Sequence, residues 1–447
     1  MLKFKLINLR GDMFATVLSF GAQAVIKLIS SMILTRILRP EAYGIITILM
    51  SILFIVSMLS DIGISVSIVR DPNGETPGYL NTAWTLRLGR AILNGTIVFL
   101  CAPLIASIYD APLLTVPMRV FSIWFLIDGF ESTSFAVAIR RKNSRVIIYS
   151  DLAASAIGTA FSLVYCYFAR TFWGMIYGTL LSRFVFVALS HLFYRELRPR
   201  LQVDWTAARE MSKYTRFVMP SSILTLILSQ FDKAAFLRLF DLKLLGVYGL
   251  AANIAAPIET LIGRASQMVL YPRCAHNFRL NREDFTLNYY KENVKLFAVI
   301  LAAPAAVGGA AHMIMAVLYD ARYAAAAAVV QAFMVRAVLM AIASPAEDML
   351  VATGESHIVL IGNIYRAVWM ICASILGYYV FGFMGFVYGV SFSGLPPLAY
   401  YLRLQRKKGM LIAKYELYKV AFACGVAAVA YVMSGLVMRV WMVLHAS

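Results

Sequence analysis

Two stretches decide how this chain reads: Arg36-Ile-Leu-Arg-Pro-Glu-Ala-Tyr-Gly44 and Arg238-Leu-Phe-Asp-Leu-Lys-Leu-Leu-Gly246. Each ends an apolar run, and each sets an arginine eight residues before a glycine, at an offset of 202. Upstream the polar residues keep the same register. Ser19, Gln23, Lys27 and Ser30 answer to Ser221, Thr225, Ser229 and Asp232. Spacings of 4, 4 and 3 put each set on one helix face. Further on, Tyr109-Asp110-Ala111 returns as Tyr319-Asp320-Ala321, at an offset of 210. Matches kept in order at nearly one offset mark an internal repeat.

The surrounding composition says what repeats. Of 447 residues, 61% are hydrophobic and 14% charged, and mean hydropathy is +0.75. Such a chain has too little polar surface to cover a soluble core. A spanning helix needs about 20 mostly apolar residues. Runs of that kind fall at 13–37, 41–63, 83–108, 113–138, 146–168, 172–194, 216–239, 244–270, 294–318, 324–352, 358–380, 382–402 and 420–443. The expected fold class is therefore an all-α polytopic membrane protein. Its two six-helix bundles, 1–194 and 216–402, are joined by a cytoplasmic linker, 195–215. Residues 403–447 add a basic loop and one extra, peripheral helix. An even number of helices per repeat makes both copies enter from one side, so a pseudo-twofold axis along the membrane normal is expected. Bundles related in that way enclose a cavity that can open to either side by rocking.

The net charge of +18 would suggest nucleic acid in a soluble protein. Here it follows the membrane. Alternate loops collect most of the lysines and arginines, among them Arg140, Arg141, Lys142, Arg145, Arg195, Arg198, Arg200 and Arg282. The opposite loops hold five: Arg36, Arg39, Arg170, Lys243 and Arg322. Basic loops stay on the cytoplasmic side, which places the N-terminus there and makes the first helix a retained span. The loops on the other face are a handful of residues long, too short to hold a catalytic site, and no Walker A sequence is present. An enzyme is not expected. The five cysteines have no CxxC spacing and read as small apolar residues, so neither metal nor cofactor is expected.

Charges inside the apolar runs are costly and point to function or to pairing. They are Lys27, Asp61, Arg87, Arg90, Arg119, Asp128, Glu131, Asp232, Lys233, Glu259, Arg264, Arg336, Glu347, Asp348 and Arg366. Basic residues dominate the central positions. Lys27, Arg87, Arg90, Lys233, Arg264, Arg336 and Arg366 are the candidate lining of a cationic cavity, because guanidinium groups bind phosphate oxygens in a two-pronged fork. Asp61, Asp128, Glu131, Asp232 and Glu259 are candidates for ion pairs or for binding a coupling cation.

The stretch from Ile33 to Gly44 resembles the first-to-second-helix signature of the polysaccharide transporter family, which includes Wzx-type flippases. That family sits in a superfamily with multidrug exporters and the lipid II flippase. Arg39 departs from the signature, which usually has glycine there. Ser60-Asp-Ile-Gly-Ile64, Tyr109-Asp-Ala-Pro112, Leu245-Gly-Val-Tyr248 and Leu350-Val-Ala-Thr-Gly354 continue the likeness across about residues 10–400. The resemblance implies movement of an undecaprenyl-pyrophosphate-linked oligosaccharide from the inner to the outer leaflet of the bacterial cytoplasmic membrane. The product would be exopolysaccharide, capsule or O-antigen. It also implies a polysaccharide polymerase and a chain-length regulator as partners, beside the lipid-linked cargo and membrane lipid. Two halves in one chain make a monomer the expected state. The competing reading is a cation-coupled multidrug or small-solute antiporter on the same fold, in which Asp61, Asp128 and Glu131 would be the essential residues.

Overall fold

The computed structural model describes residues 2–61, 63–141, 143, 145–192, 199–280, 285–355 and 357–445, with side chains of 2–18, 212–222, 236–238 and 440–445 left aside. Ile62, Lys142, Arg195, Arg198 and Arg282 lie outside the described residues, as do the side chains of Ser221 and Arg238. The helices in chain order are α1 (Leu2–Ile37), α2 (Pro40–Leu59), α3 (Ile64–Arg70), α4 (Pro77–Ile108), α5 (Thr115–Phe121), α6 (Ile123–Gly129), α7 (Ser134–Arg140), α8 (Arg145–Ala169) and α9 (Trp173–Leu192). They continue with α10 (Trp205–Leu239), α11 (Leu242–Ala265), α12 (Tyr271–Leu280), α13 (Phe285–Gly309), α14 (Ala311–Leu318), α15 (Ala326–Ala352), α16 (His357–Ser391), α17 (Leu395–Lys407) and α18 (Ala413–His445). Eleven segments among the described residues are long and apolar enough to cross a membrane. This is a multi-pass all-α membrane protein.

The chain forms two compact units, Met1–Leu226 with Lys233–Leu242, and Ile227–Asp232 with Lys243–Ser447. In the first unit, Pro40 and Pro77 open α2 and α4, where a missing N–H costs nothing. The second span breaks after Leu59. Gly63 takes φ 68°, and its N–H donates to Asp61 Oδ1 at 2.9 Å. α8 and α9 pack as a hairpin on small residues. A Cβ on Gly158 would strike Gly178 and Ser182, and one on Gly178 would strike Gly158 and Ser162. Small residues let membrane helices approach closely enough for backbone packing to hold them, because lipid gives little hydrophobic drive between helices.

The second unit repeats this device. α16 turns back at Gly382 (φ 61°, ψ −138°), which resolves the nearly fused runs at 358–380 and 382–402 into two arms. A Cβ on Gly377 would strike Gly385, and one on Gly389 would strike Ser374. Ser162 against Gly178 thus has its counterpart in Ser374 against Gly389, at offsets of 212 and 211. The two Tyr-Asp-Ala turns also match in form: each is followed by one short 3-10 turn, Pro112–Leu114 and Ala321–Tyr323.

Within the stretch expected as a linker, 195–215, residues 200–204 are bonded to the first unit. The Arg200 backbone N–H donates to Asn81 Oδ1 (3.0 Å), that of Gln202 to Thr85 Oγ1 (3.1 Å) and that of Asp204 to Thr82 Oγ1 (2.8 Å), strapping 200–204 along the first turns of α4. The extra helix α18 is not merely peripheral. Lys419 is buried and donates to Glu416 Oε1 at 2.7 Å, which also accepts from the Tyr290 hydroxyl of α13 at 2.5 Å. Tyr415 stacks on Tyr290 at 4.9 Å. The Glu416–Lys419 pair lies within α18, so what seats that helix is its contact with α13: a shifted α18 would lose the Tyr290 hydroxyl bond and the ring stack, leaving buried polar groups without their partner.

Candidate functional site

In the first unit, α4 carries Arg87 and Arg90 three residues apart, and the end of α6 and the turn after it carry Asp128 and Glu131 at the same spacing. Arg87 forms two parallel bonds to Glu131, Nη1 to Oε1 at 3.1 Å and Nη2 to Oε2 at 2.7 Å, and its Nη2 stands 3.7 Å from Asp128. Arg183 of α9 donates to both Asp128 and Glu131 and lies over the rings of Trp124 (5.2 Å) and Phe186 (4.8 Å). Two arginines thus meet two carboxylates in a largely buried quartet. Fully matched charges of this kind hold helices together but leave little for a ligand.

Arg90 lies outside that match. It sits thirteen residues into the 32-residue α4, roughly 20 Å along the helix at 1.5 Å per residue. Its contacts are long: Nη1 to Ser60 O at 3.4 Å and to Asp61 Oδ1 at 3.5 Å. Its Nε is buried with no hydrogen-bond partner. Beside it the Asn94 amide donates to Ser60 Oγ at 2.7 Å. Lys27 of α1 is exposed and has no hydrogen bond or ion pair among the described residues.

The second unit holds a cavity of about 240 Å³. α15 supplies Arg336, Glu347 and Asp348, and α16 supplies Asn363 and Arg366 at i, i+3. Tyr401 comes from α17. Ser266 and Gln267 come from a π-helical turn, Ser266–Leu270, between α11 and α12. Such turns insert one extra residue per turn and swing side chains off the regular helical face. Arg336 is tied to Glu259 of α11 (Nε to Oε1, 2.8 Å) and lies over the Phe333 ring at 4.5 Å. Glu347 accepts from the Tyr401 hydroxyl (3.1 Å), and Asp348 from Ser266 (2.6 Å). Arg366 forms no hydrogen bond or ion pair among the described residues, and its Nε is buried.

The predicted residues therefore fall into three groups. Arg87, Asp128 and Glu131 come together as ion pairs, with Arg90 and Asp61 in looser contact beside them. Arg336 and Arg366 line the second unit's cavity with Glu347 and Asp348, and Glu259 reaches it only through its pair with Arg336. Arg264, Lys233 and Asp232 do not line that cavity. Arg264 and Lys233 have interactions of their own, and buried Asp232 accepts from the Tyr248 hydroxyl at 2.5 Å. Arg119 stands over Phe99 at 5.2 Å.

Arg183 is the residue that reading the sequence missed, although it is an intraspan charge like the others. Its partners lie 52 and 55 residues away. The cavity's π-turn leaves no signal in residue spacing.

At the loop end of the first unit, Arg140 donates to the carbonyls of Ile68 (2.7 Å), Asp71 and Pro72 (3.2 Å), and Arg141 holds Glu75 Oε2 at 2.8 Å. That hydrogen bond, with the charges of Arg141 and Arg140, keeps the Glu75 carboxyl below its ordinary range. Hydrogen bonds from Thr206 do the same for Asp204 at the start of α10.

Comparison with known proteins gives this geometry its setting. The chain is 23% identical over 380 residues to the lipopolysaccharide biosynthesis protein WzxC of Escherichia coli (strain K12), spanning 84% of this chain and 75% of that one. It is 21% identical over 258 residues to the succinoglycan biosynthesis transport protein ExoT of Rhizobium meliloti (strain 1021), spanning 58% of this chain and 52% of that one. Its fold matches the lipid II flippase MurJ in an inward closed conformation, with TM-score 0.71 at 11% identity over 96% of this chain and 99% of the other. An inward-facing multidrug resistance transporter of the MATE family gives TM-score 0.56 at 15% identity, over 88% and 98%. The model of the polysaccharide biosynthesis protein family matches residues 33–328, two thirds of the sequence, and the chain belongs to that family.

Proposed function

We propose that this protein is a flippase. It moves an undecaprenyl-pyrophosphate-linked oligosaccharide from the inner to the outer leaflet of the bacterial cytoplasmic membrane, by alternating access, for exopolysaccharide, capsule or O-antigen assembly. Its transport halves are 1–194 and 216–402, its N-terminus is cytoplasmic, and it acts as a monomer without catalysing a reaction. A polymerase and a chain-length regulator take up the exported unit. The names of the relatives support the pathway, and the likeness to MurJ supports the fold.

The observation that carries the reading is Arg90. A guanidinium near mid-helix, whose ion pair with Asp61 is long at 3.5 Å and whose Nε is unpartnered, keeps donors for an anion. The unpaired Lys27 is a second such cation in the same unit. A pyrophosphate supplies the missing charge. Outward movement of negative charge across an interior-negative membrane is favoured by roughly 2.3 kcal/mol per charge per 100 mV. The prenyl tail stays in lipid throughout.

The test uses a deletion strain. Lipid-linked oligosaccharide is extracted, and its leaflet is read in spheroplasts with an impermeant periodate or lectin probe. The expected result is a complete repeat unit trapped on the inner leaflet. The intact gene should release it, and Lys27→Ala or Arg90→Ala should fail to do so while reaching the membrane at normal levels. Normal outer-leaflet exposure in the deletion strain would overturn the flippase reading. Normal export by both variants would overturn the site.

A further inference from the structure

We infer that the cavity of the second unit is a binding site for a single sugar ring of neutral overall charge. The inference rests on the flippase reading for its biological role only. Its chemical basis is the inventory of hydrogen-bonding groups around the cavity. Five side chains keep unused capacity. Arg366 donates to nothing among the described residues, and the amides of Asn363 and Gln267 have no hydrogen bond there either. Glu347 and Asp348 each accept one hydroxyl and retain further lone pairs. All five are planar groups, three able to donate and four able to accept, brought together from three stretches of helix around about 240 Å³.

The mixture of charges selects the ligand. A pyrophosphate needs donors and net positive charge, but here Glu347 and Asp348 face it and Arg336 is already neutralised by Glu259. A lipophilic cation would be met by Arg366. A metal ion needs three or more acidic, histidine or cysteine donors together, and no such group stands among the described residues. A sugar hydroxyl both donates and accepts. One hydroxyl can take a bond from Arg366 or Asn363 while giving its own proton to Glu347 or Asp348, and such chains strengthen each bond in a low dielectric. A ring with several adjacent hydroxyls uses all five groups without importing charge. The π-turn that brings Ser266 and Gln267 to the wall departs from regular helix only over Ser266–Leu270, and departures of that kind occur often at functional sites.

The test is equilibrium binding of tritiated glucose, galactose and mannose, each alone, to the purified full chain in nanodiscs. Inorganic pyrophosphate and sodium are run as competitors. At least one hexose is expected to bind saturably and to resist both competitors. Arg366→Gln and Asn363→Leu should each weaken it at least tenfold, while Arg322→Gln, in an exposed loop, should leave it unchanged. Gln267→Leu, at an exposed position, is the variant least able to disturb folding and should weaken it several-fold. Three results would overturn the inference: no hexose bound, hexose displaced by pyrophosphate, or binding equal in all variants. The leaflet assay on the deletion strain separates the two ideas. Wild type that restores outer-leaflet exposure but binds no hexose sinks the sugar site and leaves the flippase. Hexose binding together with normal exposure in the deletion strain does the reverse.

Discussion

The two units solve the same electrostatic problem in opposite ways. In the first, Arg87 and Arg183 meet Asp128 and Glu131 directly, so that each charge of this quartet is answered by another while Arg90 and Lys27 stand outside it. In the second, Arg336 is answered by Glu259, while Arg366, Glu347 and Asp348 stand around a cavity without pairing with one another. Charge inside an apolar run is thus no marker of a ligand site by itself. The useful distinction is whether protein groups already use up the hydrogen-bonding capacity. By that measure Arg87 belongs to the scaffold, and Arg90 and Arg366 are open to a ligand.

The hardest test of this contrast is to remove one arginine from each unit. Arg183→Ala strips the quartet of a cation and leaves two carboxylates buried beside one guanidinium. Breaking a buried pair by removing one partner costs about 3–5 kcal/mol. The variant should therefore melt far below wild type in detergent or fail to accumulate, and Arg183→Ala with Asp128→Asn should recover much of the loss. Arg366→Gln removes a group that pairs with nothing among the described residues, and its melting temperature should stay close to wild type. Equal losses in the two units would erase the distinction.

A smaller effect tests how far the likeness of the units extends. Gly178 in α9 and Gly389 in α16 each face a serine of the opposing helical arm, so a methyl group has nowhere to go in either. Gly178→Ala and Gly389→Ala should each cost about 1–3 kcal/mol by forcing packed backbones apart, read as matching drops in melting temperature. A drop in only one would mean that the two hairpins share a motif without sharing its energetics.

Only part of this contrast is legible in the residue pattern. The repeat is, because Arg36 to Gly44 and Arg238 to Gly246 keep one spacing, and helical spacing is set by local backbone geometry. The fold class is, because spans must be long and apolar. The state of each charge is not. Arg87 and Arg90 share a helix and differ by three residues, yet one is held in a tight two-pronged pair and the other meets a carboxylate only at 3.5 Å. That difference depends on α6 and α9, which no local pattern specifies. The hairpin at Gly382 is half legible, since two short runs nearly touch there. The glycine at φ 61° settles it, because L side chains rarely adopt that conformation.

The weakest expected effect compares the loop ends of the units. In the first, Arg141 reaches Glu75 Oε2 with two nitrogens, Nε at 3.2 Å and Nη2 at 2.8 Å, and Arg140 adds a longer contact at 3.5 Å. In the second, Glu355 meets the single ammonium of Lys408. Arginine's fork is the better oriented of the two, but both pairs are open to water, so each contributes at most about 1 kcal/mol. Because the Glu75 carboxyl is held below its ordinary value in the folded chain, its contribution is complete above the unfolded value, near about 4.3. It fades as pH falls through the lower folded value. Glu75→Gln should therefore lower the melting temperature slightly at about pH 7, and the gap from wild type should close between about pH 4.3 and stronger acid. A gap that widened on acidification would mean that Glu75 is stabilised by its protonated form, and that the arginine clamp is not what holds the loop end of the first unit.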